Sequence, residues 1–173
     1  MNDDEDILLV REFKDGNTRV FDRLFEKYQV SLYSICYRFT RNDSDARELT
    51  QDILIKVYRN LKQFNERSRF FTWLYRIAVN ACLSFKRKQK HHALHYDPPP
   101  QTQPMDERVS MKIAIDNALK KLPQRQRISF ILRHYEGYTF NEIGEIMGIT
   151  TGAAKANHHQ AVKKLKVLLK EWV

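Results

Sequence analysis

Apolar residues recur every three or four positions through most of the chain, the spacing of one face of an α-helix. From Thr18, the residues Phe21, Leu24, Phe25, Tyr28, Leu32, Ile35, Cys36 and Phe39 share such a face. They predict an amphipathic helix of about six turns. A shorter helix around Ile7 to Phe13 precedes it and stops at Asp15-Gly16-Asn17, a strong turn signal. Asn42-Asp43-Ser44 offers N-cap side chains for a third helix. Its inner face is Ala46, Leu49, Ile53, Val57, Leu61 and Phe64; its outer face carries Glu48, Gln51, Asp52, Lys56 and Arg59. After the polar loop 65–69, a fourth helix is expected from about Phe71 to Lys88, with Leu74, Ile77, Ala78, Ala81, Cys82 and Phe85 as its buried stripe.

The pattern breaks where His91-His92-Ala93-Leu94-His95-Tyr96-Asp97 runs into Pro98-Pro99-Pro100-Gln101-Thr102-Gln103-Pro104. Proline forbids helix and this stretch has little apolar surface to bury, so it is expected to be a flexible, extended linker. It divides the chain into 1–90, a linker 91–108, and 109–173. In the last part, Val109, Ile113, Leu119 and Leu122 predict a helix ending before Pro123, and Pro123 suits the first turn of a helix from Gln124 to Tyr135. Gly137 breaks that helix. Thr139-Phe140-Asn141-Glu142 is a capping box opening a short helix through Met147. Gly148-Ile149-Thr150 turns the chain, and Ala154, Ala161, Leu165 and Leu168 mark the inner face of a final helix. Helix, short glycine-containing turn, helix with a basic outer face is the helix-turn-helix pattern. The expected fold class is all-α, two small helical domains on a Pro-rich tether.

Charge sharpens this picture. With 30 Lys and Arg against 21 Asp and Glu, the net charge is +9, which favours a polyanionic partner and points to nucleic acid. No run approaches the roughly 20 apolar residues that span a bilayer. The N-terminal Met1-Asn2-Asp3-Asp4-Glu5-Asp6 is acidic, the reverse of a signal peptide. A cytoplasmic protein without membrane insertion is expected. Cys36 and Cys82 read as reduced core residues. His91, His92 and His95 lie in the linker without a nearby Cys or a fourth ligand, so neither metal nor cofactor is expected. There is no Walker loop, dinucleotide fingerprint or nucleophile elbow, and no catalytic motif among the carboxylates. An enzyme is not expected.

Two stretches carry a family resemblance. The first is Asp45-Ala46-Arg47-Glu48-Leu49-Thr50-Gln51-Asp52-Ile53-Leu54-Ile55-Lys56-Val57-Tyr58, followed by Phe71-Thr72-Trp73-Leu74-Tyr75-Arg76-Ile77-Ala78-Val79-Asn80. The second is Leu119-Lys120-Lys121-Leu122-Pro123-Gln124-Arg125-Gln126-Arg127, followed by Gly137-Tyr138-Thr139-Phe140-Asn141-Glu142-Ile143-Gly144. Together, in this order and separated by a linker, they resemble the extracytoplasmic-function (ECF) group of the sigma-70 family over nearly the whole chain. The resemblance implies a four-helix region-two domain, a linker and a helix-turn-helix region-four domain. It implies binding to core RNA polymerase, at the clamp helices of the largest subunit and the flap of the second-largest, then to promoter DNA, under the control of an anti-sigma factor.

By position, the resemblance makes Glu48, Gln51, Asp52 and Arg59 the polymerase-docking face, although such a pattern also describes a solvated helix. It makes Asn65, Arg67, Ser68 and Arg69, with Tyr75, Arg76 and Asn80, the reader of the minus-ten element. Extruding a base costs a few kcal/mol, and stacking on an aromatic ring returns roughly 1–3 kcal/mol. Phe70, Phe71, Trp73 and Tyr75 beside Arg67, Arg69 and Arg76 suit that exchange, and Lys86-Arg87-Lys88 suits phosphates. Phe71 and Trp73 read equally well as core, and Asn80 reads either as a base contact or as part of a polar face. On the last helix Lys155, His159, Gln160 and Lys163 face outward for the minus-thirty-five element, Gln160 suiting adenine. Arg125 and Arg127 are expected on phosphates. Here the chain departs from the family, which places Arg or Lys where Asn157 and Gln160 stand and an aliphatic residue where His158 stands. His158 follows the inner series and is expected to pack inward as a partnered histidine. A self-sufficient helix-turn-helix regulator, its first module a dimerisation or sensor domain, is the alternative and predicts tight duplex binding without polymerase. A nucleic-acid-processing enzyme would need an acidic or metal cluster that the sequence lacks.

Overall fold

The computed structural model describes residues 3–89 and 107–170. Helix α1 (Asp3–Lys14) starts four residues earlier than the apolar spacing indicates, because Asp3, Asp4, Glu5 and Asp6 suit the positive end of a helix dipole. Asp6 is buried and pinned by Tyr28 and Lys27 of α2 (Val20–Thr40), which locks α1 across α2. Every third or fourth residue of α2, from Val20 to Phe39, is buried. It ends where Arg41 turns left-handed at φ 57° and returns its N–H to the Tyr37 carbonyl.

Asn42 then caps α3 (Asp43–Asn60), its side chain accepting from the Asp45 N–H at 2.9 Å. The apolar stripe 46–64 predicts one uninterrupted helix, but α3 gives way to a 3₁₀ turn, Leu61–Gln63. The tighter turn eclipses residues three apart, so Leu61 and Phe64 are buried together, at 0% and 1% exposure. Helix α4 (Phe70–Gln89) begins where Asp3 accepts the Phe70 N–H. Cys36 and Cys82 are buried in this core. Their mutual hydrogen bond, and then burial, pushes the Cys82 thiol up; because both side chains are enclosed, neither is placed as an exposed nucleophile.

The second module comprises α5 (Glu107–Lys120), α6 (Gln124–His134), α7 (Phe140–Met147) and α8 (Thr151–Leu168). Helix α5 begins at Glu107, slightly ahead of the expected Val109. Pro123 stands just outside α6 as its N-cap residue. The Thr139–Glu142 capping box forms in both directions, and Thr150 caps α8 on the Ala153 N–H. Between α7 and α8, Gly148 takes φ 64°. Gly144 permits the close crossing: a Cβ there would lie 2.9 Å from the Ile149 carbonyl oxygen. Ser129 of α6 donates to the Ala154 carbonyl of α8, closing the three-helix unit.

The two modules do not stand apart. The core of the first continues through Phe71 and Tyr75 into Ile128, Ile131, Leu132, Tyr138, Ile143 and Ile146 of the second. A separate small cluster, Ala118, Leu119, Leu122, Ala161 and Leu165, seats α5 on α8.

Candidate nucleic-acid interface

Glu48, Gln51, Asp52 and Arg59 are all exposed on one side of α3, away from its buried stripe. Ile55 and Tyr58 stand among them at 49% and 44% exposure, a large apolar component that the polar pattern hides. Their signal in the sequence is that they fall outside the inner three-four series. Tyr58 is held from behind by edge contacts to Phe13 and Phe21.

The loop before α4 is set by charge. Glu66, at φ 58°, receives two bonds from Arg11 at 2.6 and 3.2 Å, and Arg11 thereby holds its carboxyl below the usual range. This leaves Asn65, Arg67 and Arg69 exposed and Ser68 half-buried on one rim. Arg76 and Asn80 continue that surface along α4. The side chain of Arg87 lies outside the described residues, as do His91, His92 and His95.

Tyr75 and Phe70 are placed differently from the stacking expectation, whereas Phe71 follows its reading as core. Tyr75 is 1% exposed, Phe70 1% and Phe71 6%. Tyr75 is therefore not a stacking surface for an extruded base in this structure; its ring is enclosed by α2, α4 and the second module. Phe70 packs against Tyr28, Phe64 and Trp73 as core. What covers the other two rings is Tyr138, which lies flat on Phe71 at 5.6 Å and 4° and meets Tyr75 edge-on at 5.3 Å. Beside it the Arg76 guanidinium donates twice to the Glu145 carbonyl, at 2.8 and 3.3 Å, and Arg69 lies 3.9 Å from Glu142. Between these contacts runs a cleft of about 570 Å³, with Arg67, Arg69 and Arg76 on one wall and Asn141, Glu142 and Glu145 on the other.

On α8, Lys155, His159, Gln160 and Lys163 are exposed and share one face, pointing away from the first module's core. His158 turns inward, its Nε2 2.9 Å from that of His134, between the rings of Phe130 and Phe140. Burial, then the neighbouring charges, lowers the pKa of both histidines. Asn157 bonds back to the Ala153 carbonyl and is half-buried. Arg125 is exposed, but Arg127 is 2% exposed and the expectation of a phosphate contact does not hold here. Its guanidinium donates to the Phe39 carbonyl at 2.8 Å and to that of Lys120, and lies over the Phe39 ring. It bridges the modules, and burial followed by the charge of Arg41 lowers its pKa to about 10. Among the described residues no group of three or more His, Cys, Asp or Glu could hold a metal ion. None of their helices is long and apolar enough to cross a membrane.

Comparison with known proteins supplies the decisive observation. Residues 24–92 match the family model for Sigma-70 region 2, and residues 112–165 match that for Sigma-70, region 4. The chain is 32% identical over 167 residues to the RNA polymerase sigma factor CarQ of Myxococcus xanthus, covering 94% of this chain and 96% of that one. The chain belongs to the ECF group of the sigma-70 family. It is also 28% identical to the ECF RNA polymerase sigma factor SigW of Bacillus subtilis, over 94% of this chain and 95% of the relative. Among solved structures, CnrH in complex with the cytosolic domain of CnrY has a similar fold, with a TM-score of 0.73 at 22% identity over 95% of this chain and 96% of that one. The sigma factor RpoE with the anti-sigma factor NepR from Bartonella quintana gives 0.68 at 24%, over 87% and 96%. At these identities the likeness is one of fold. The chain is thus an RNA polymerase sigma factor with region 2 in α2–α4 and region 4 in α5–α8, and its relatives are transcription initiation factors rather than enzymes.

Proposed function

We propose that this sigma factor divides its work between three surfaces. The exposed side of α3, Glu48, Gln51, Asp52 and Arg59 with Ile55 and Tyr58 among them, docks on the clamp helices of core RNA polymerase. The rim Asn65, Arg67, Ser68 and Arg69, with Arg76 and Asn80, holds the opened minus-ten strand. The outer face of α8 enters the major groove at the minus-thirty-five element, Gln160 and His159 toward base edges, Lys155 and Lys163 toward phosphates. Arg125 adds a phosphate contact on α6, and region 4 reaches the polymerase flap.

The observation that carries this reading is the segregation of polar groups. Lys155, His159, Gln160 and Lys163 are exposed together, while every apolar residue of α8's inner series from Ala154 to Leu165 is buried. A helix with one face fixed to its partner and the other bearing four hydrogen-bonding groups is what a groove accepts. In cells the chain acts in the cytoplasm beside the polymerase, without catalytic chemistry of its own, and an anti-sigma factor of the kind seen with its structural neighbours restrains it.

Gel filtration with core polymerase, followed by transcription from a library of promoter fragments, tests this. Co-elution and initiation at a defined subset of fragments are expected. Tight, sequence-specific duplex binding without polymerase, and no co-elution, would identify a self-sufficient helix-turn-helix regulator instead.

A further inference from the structure

Helix α1 lies ahead of residues 24–92, the stretch that matches Sigma-70 region 2. Three of its side chains nonetheless hold the loop before α4 at its start, middle and end. Lys14 donates to the Phe64 carbonyl at 2.5 Å, and Asp3 accepts the Phe70 N–H at 3.2 Å. Between them Arg11 donates to both carboxylate oxygens of Glu66, at 2.6 and 3.2 Å. Positions 3, 7, 11 and 14 form one stripe of a helix, and Ile7, between the charged groups, packs on the core. The stripe is about 16 Å long, and the six steps from Phe64 to Phe70 span at most about 20 Å. Helix α1 therefore runs beside the loop for its whole length. It is itself anchored, since Leu9, Val10 and Phe13 are buried and Asp6 is held by Tyr28 and Lys27.

The loop backbone shows what these contacts do. Glu66 stands at φ 58°, a conformation that L side chains seldom adopt and glycine adopts freely. A glutamate at that position is accounted for by what its carboxylate holds. Arg69, just ahead of α4, has no side-chain oxygen to cap the first amides, and Asp3 supplies one from another helix. Arg67, Ser68 and Arg69 thus project from a backbone pinned on both sides, at Glu66 before them and at Phe70 after them.

We propose that α1 is the template on which the minus-ten reader is set: Asp3, Arg11 and Lys14 are positioning residues that govern which strands the loop accepts, without touching DNA. This rests on the assignment of loop 65–69 to the minus-ten strand. A reader that visits its working geometry only part of the time loses affinity by that fraction. The loss falls on the preferred sequence, because base contacts depend on direction whereas attraction to phosphates is shared by every sequence. The signature is lost selectivity rather than lost general affinity. An ion pair as exposed as Arg11–Glu66 adds little to stability, so its removal leaves the fold intact.

The test uses the full-length factor assembled with core polymerase, on a promoter recovered from the fragment library with its minus-ten element randomised. The ratio of preferred to poor sequences among initiated products is the readout, with melting points measured alongside. Wild type, Arg67→Ala, Arg11→Gln, Glu66→Gln and the double variant Arg11→Gln/Glu66→Gln are compared. Charge alone predicts that Arg11→Gln weakens and Glu66→Gln strengthens binding to every sequence, with both ratios unchanged. Positioning predicts that each single variant lowers the ratio by about three- to tenfold at an unchanged melting point. The double variant then loses no more than either single one, because the two residues act as one pair. If Arg67→Ala leaves the selected sequences unchanged, the loop is not the reader and the functional assignment falls. If Arg67→Ala changes them but Arg11→Gln and Glu66→Gln do not, or if the two losses add in the double variant, the template role is overturned while the loop reading stands. Should either glutamine variant melt early, Asp3→Asn and Asp3→Ala repeat the comparison at the other end of the loop. The amide oxygen still accepts the Phe70 N–H and a methyl group cannot, so only Asp3→Ala lowers the ratio; equal ratios overturn the proposal.

Discussion

Replacing Arg127 with Met separates two roles for one arginine. If Arg127 contacted phosphate, the change would lower DNA affinity and leave the fold untouched. In the structure it is 2% exposed, donating at 2.8 Å to the Phe39 carbonyl and also to that of Lys120. Hydrogen bonds from a charged donor contribute about 1.5–3 kcal/mol each. Met fills similar volume and relieves the burial of a charge, a relief consistent with the depressed pKa of the guanidinium. It also leaves two buried carbonyls without a partner. The balance is a loss of about 3 kcal/mol, which in a chain of this size corresponds to a melting point lower by about 6–12 °C. Thermal unfolding followed by circular dichroism measures it, with Arg125→Met, exposed on the same helix, as the control that melts like wild type. An Arg127→Met variant as stable as wild type would refute the bridging role and return this residue to the DNA-facing set.

Gly144→Val should destabilise the second module by about 1–3 kcal/mol, since the obstructing atoms are backbone and cannot swing away; guanidinium-induced unfolding measures it. Asp52→Arg should weaken co-elution with core polymerase while the melting point stays put, because Asp52 is exposed and outside the buried stripe. His134 and His158 have depressed folded-state pKa values, so the folded state favours their neutral forms. Their stabilisation is present above the ordinary value near about 6.5 and is lost as pH falls through it. Melting points measured from pH 7.5 to 5 should therefore drop for wild type, and much less for His158→Leu. Promoter selection with Gln160→Ala should relax preference at one base pair, whereas Lys163→Ala should lower affinity for all sequences and flatten the salt dependence.

The helices were legible in the sequence because each announces itself locally. The three-four spacing of Val20 to Phe39, the Asn42 cap and the Thr139–Glu142 box need only neighbouring residues to be recognised. The break at Leu61 was not legible, since a 3₁₀ turn and another α-helical turn bury Leu61 and Phe64 almost equally well. The inward course of His158 followed from its place in the Ala154 to Leu165 series, although nothing local names His134 as its partner. Exposed groups such as Glu48, Asp52, Arg67 and Lys155 were placed correctly on outer faces by the same periodicity. Tyr75 and Arg127 were not. What covers them comes from chain 60 or more residues away, Tyr138 against Tyr75 and Phe39 against Arg127, and an aromatic or basic residue at an element's edge looks alike whether it meets DNA or another helix. The unusual number of aromatics around Phe71 was the available hint of an internal partner for that face.

The contact between the regions is made by two parts of one chain, with seventeen residues between the end of α4 and the start of α5. Fully extended, such a tether reaches about 60 Å, so the two surfaces meet at an effective concentration on the order of millimolar. A pairing as weak as about 0.1 mM in isolation would then be closed roughly nine-tenths of the time. Dilution does not loosen it, so the closed fraction is the same whether the cell holds ten copies or ten thousand. A partner that spreads the regions has only to outbid a tenfold preference, about 1.4 kcal/mol, well within reach of a single docked helix face.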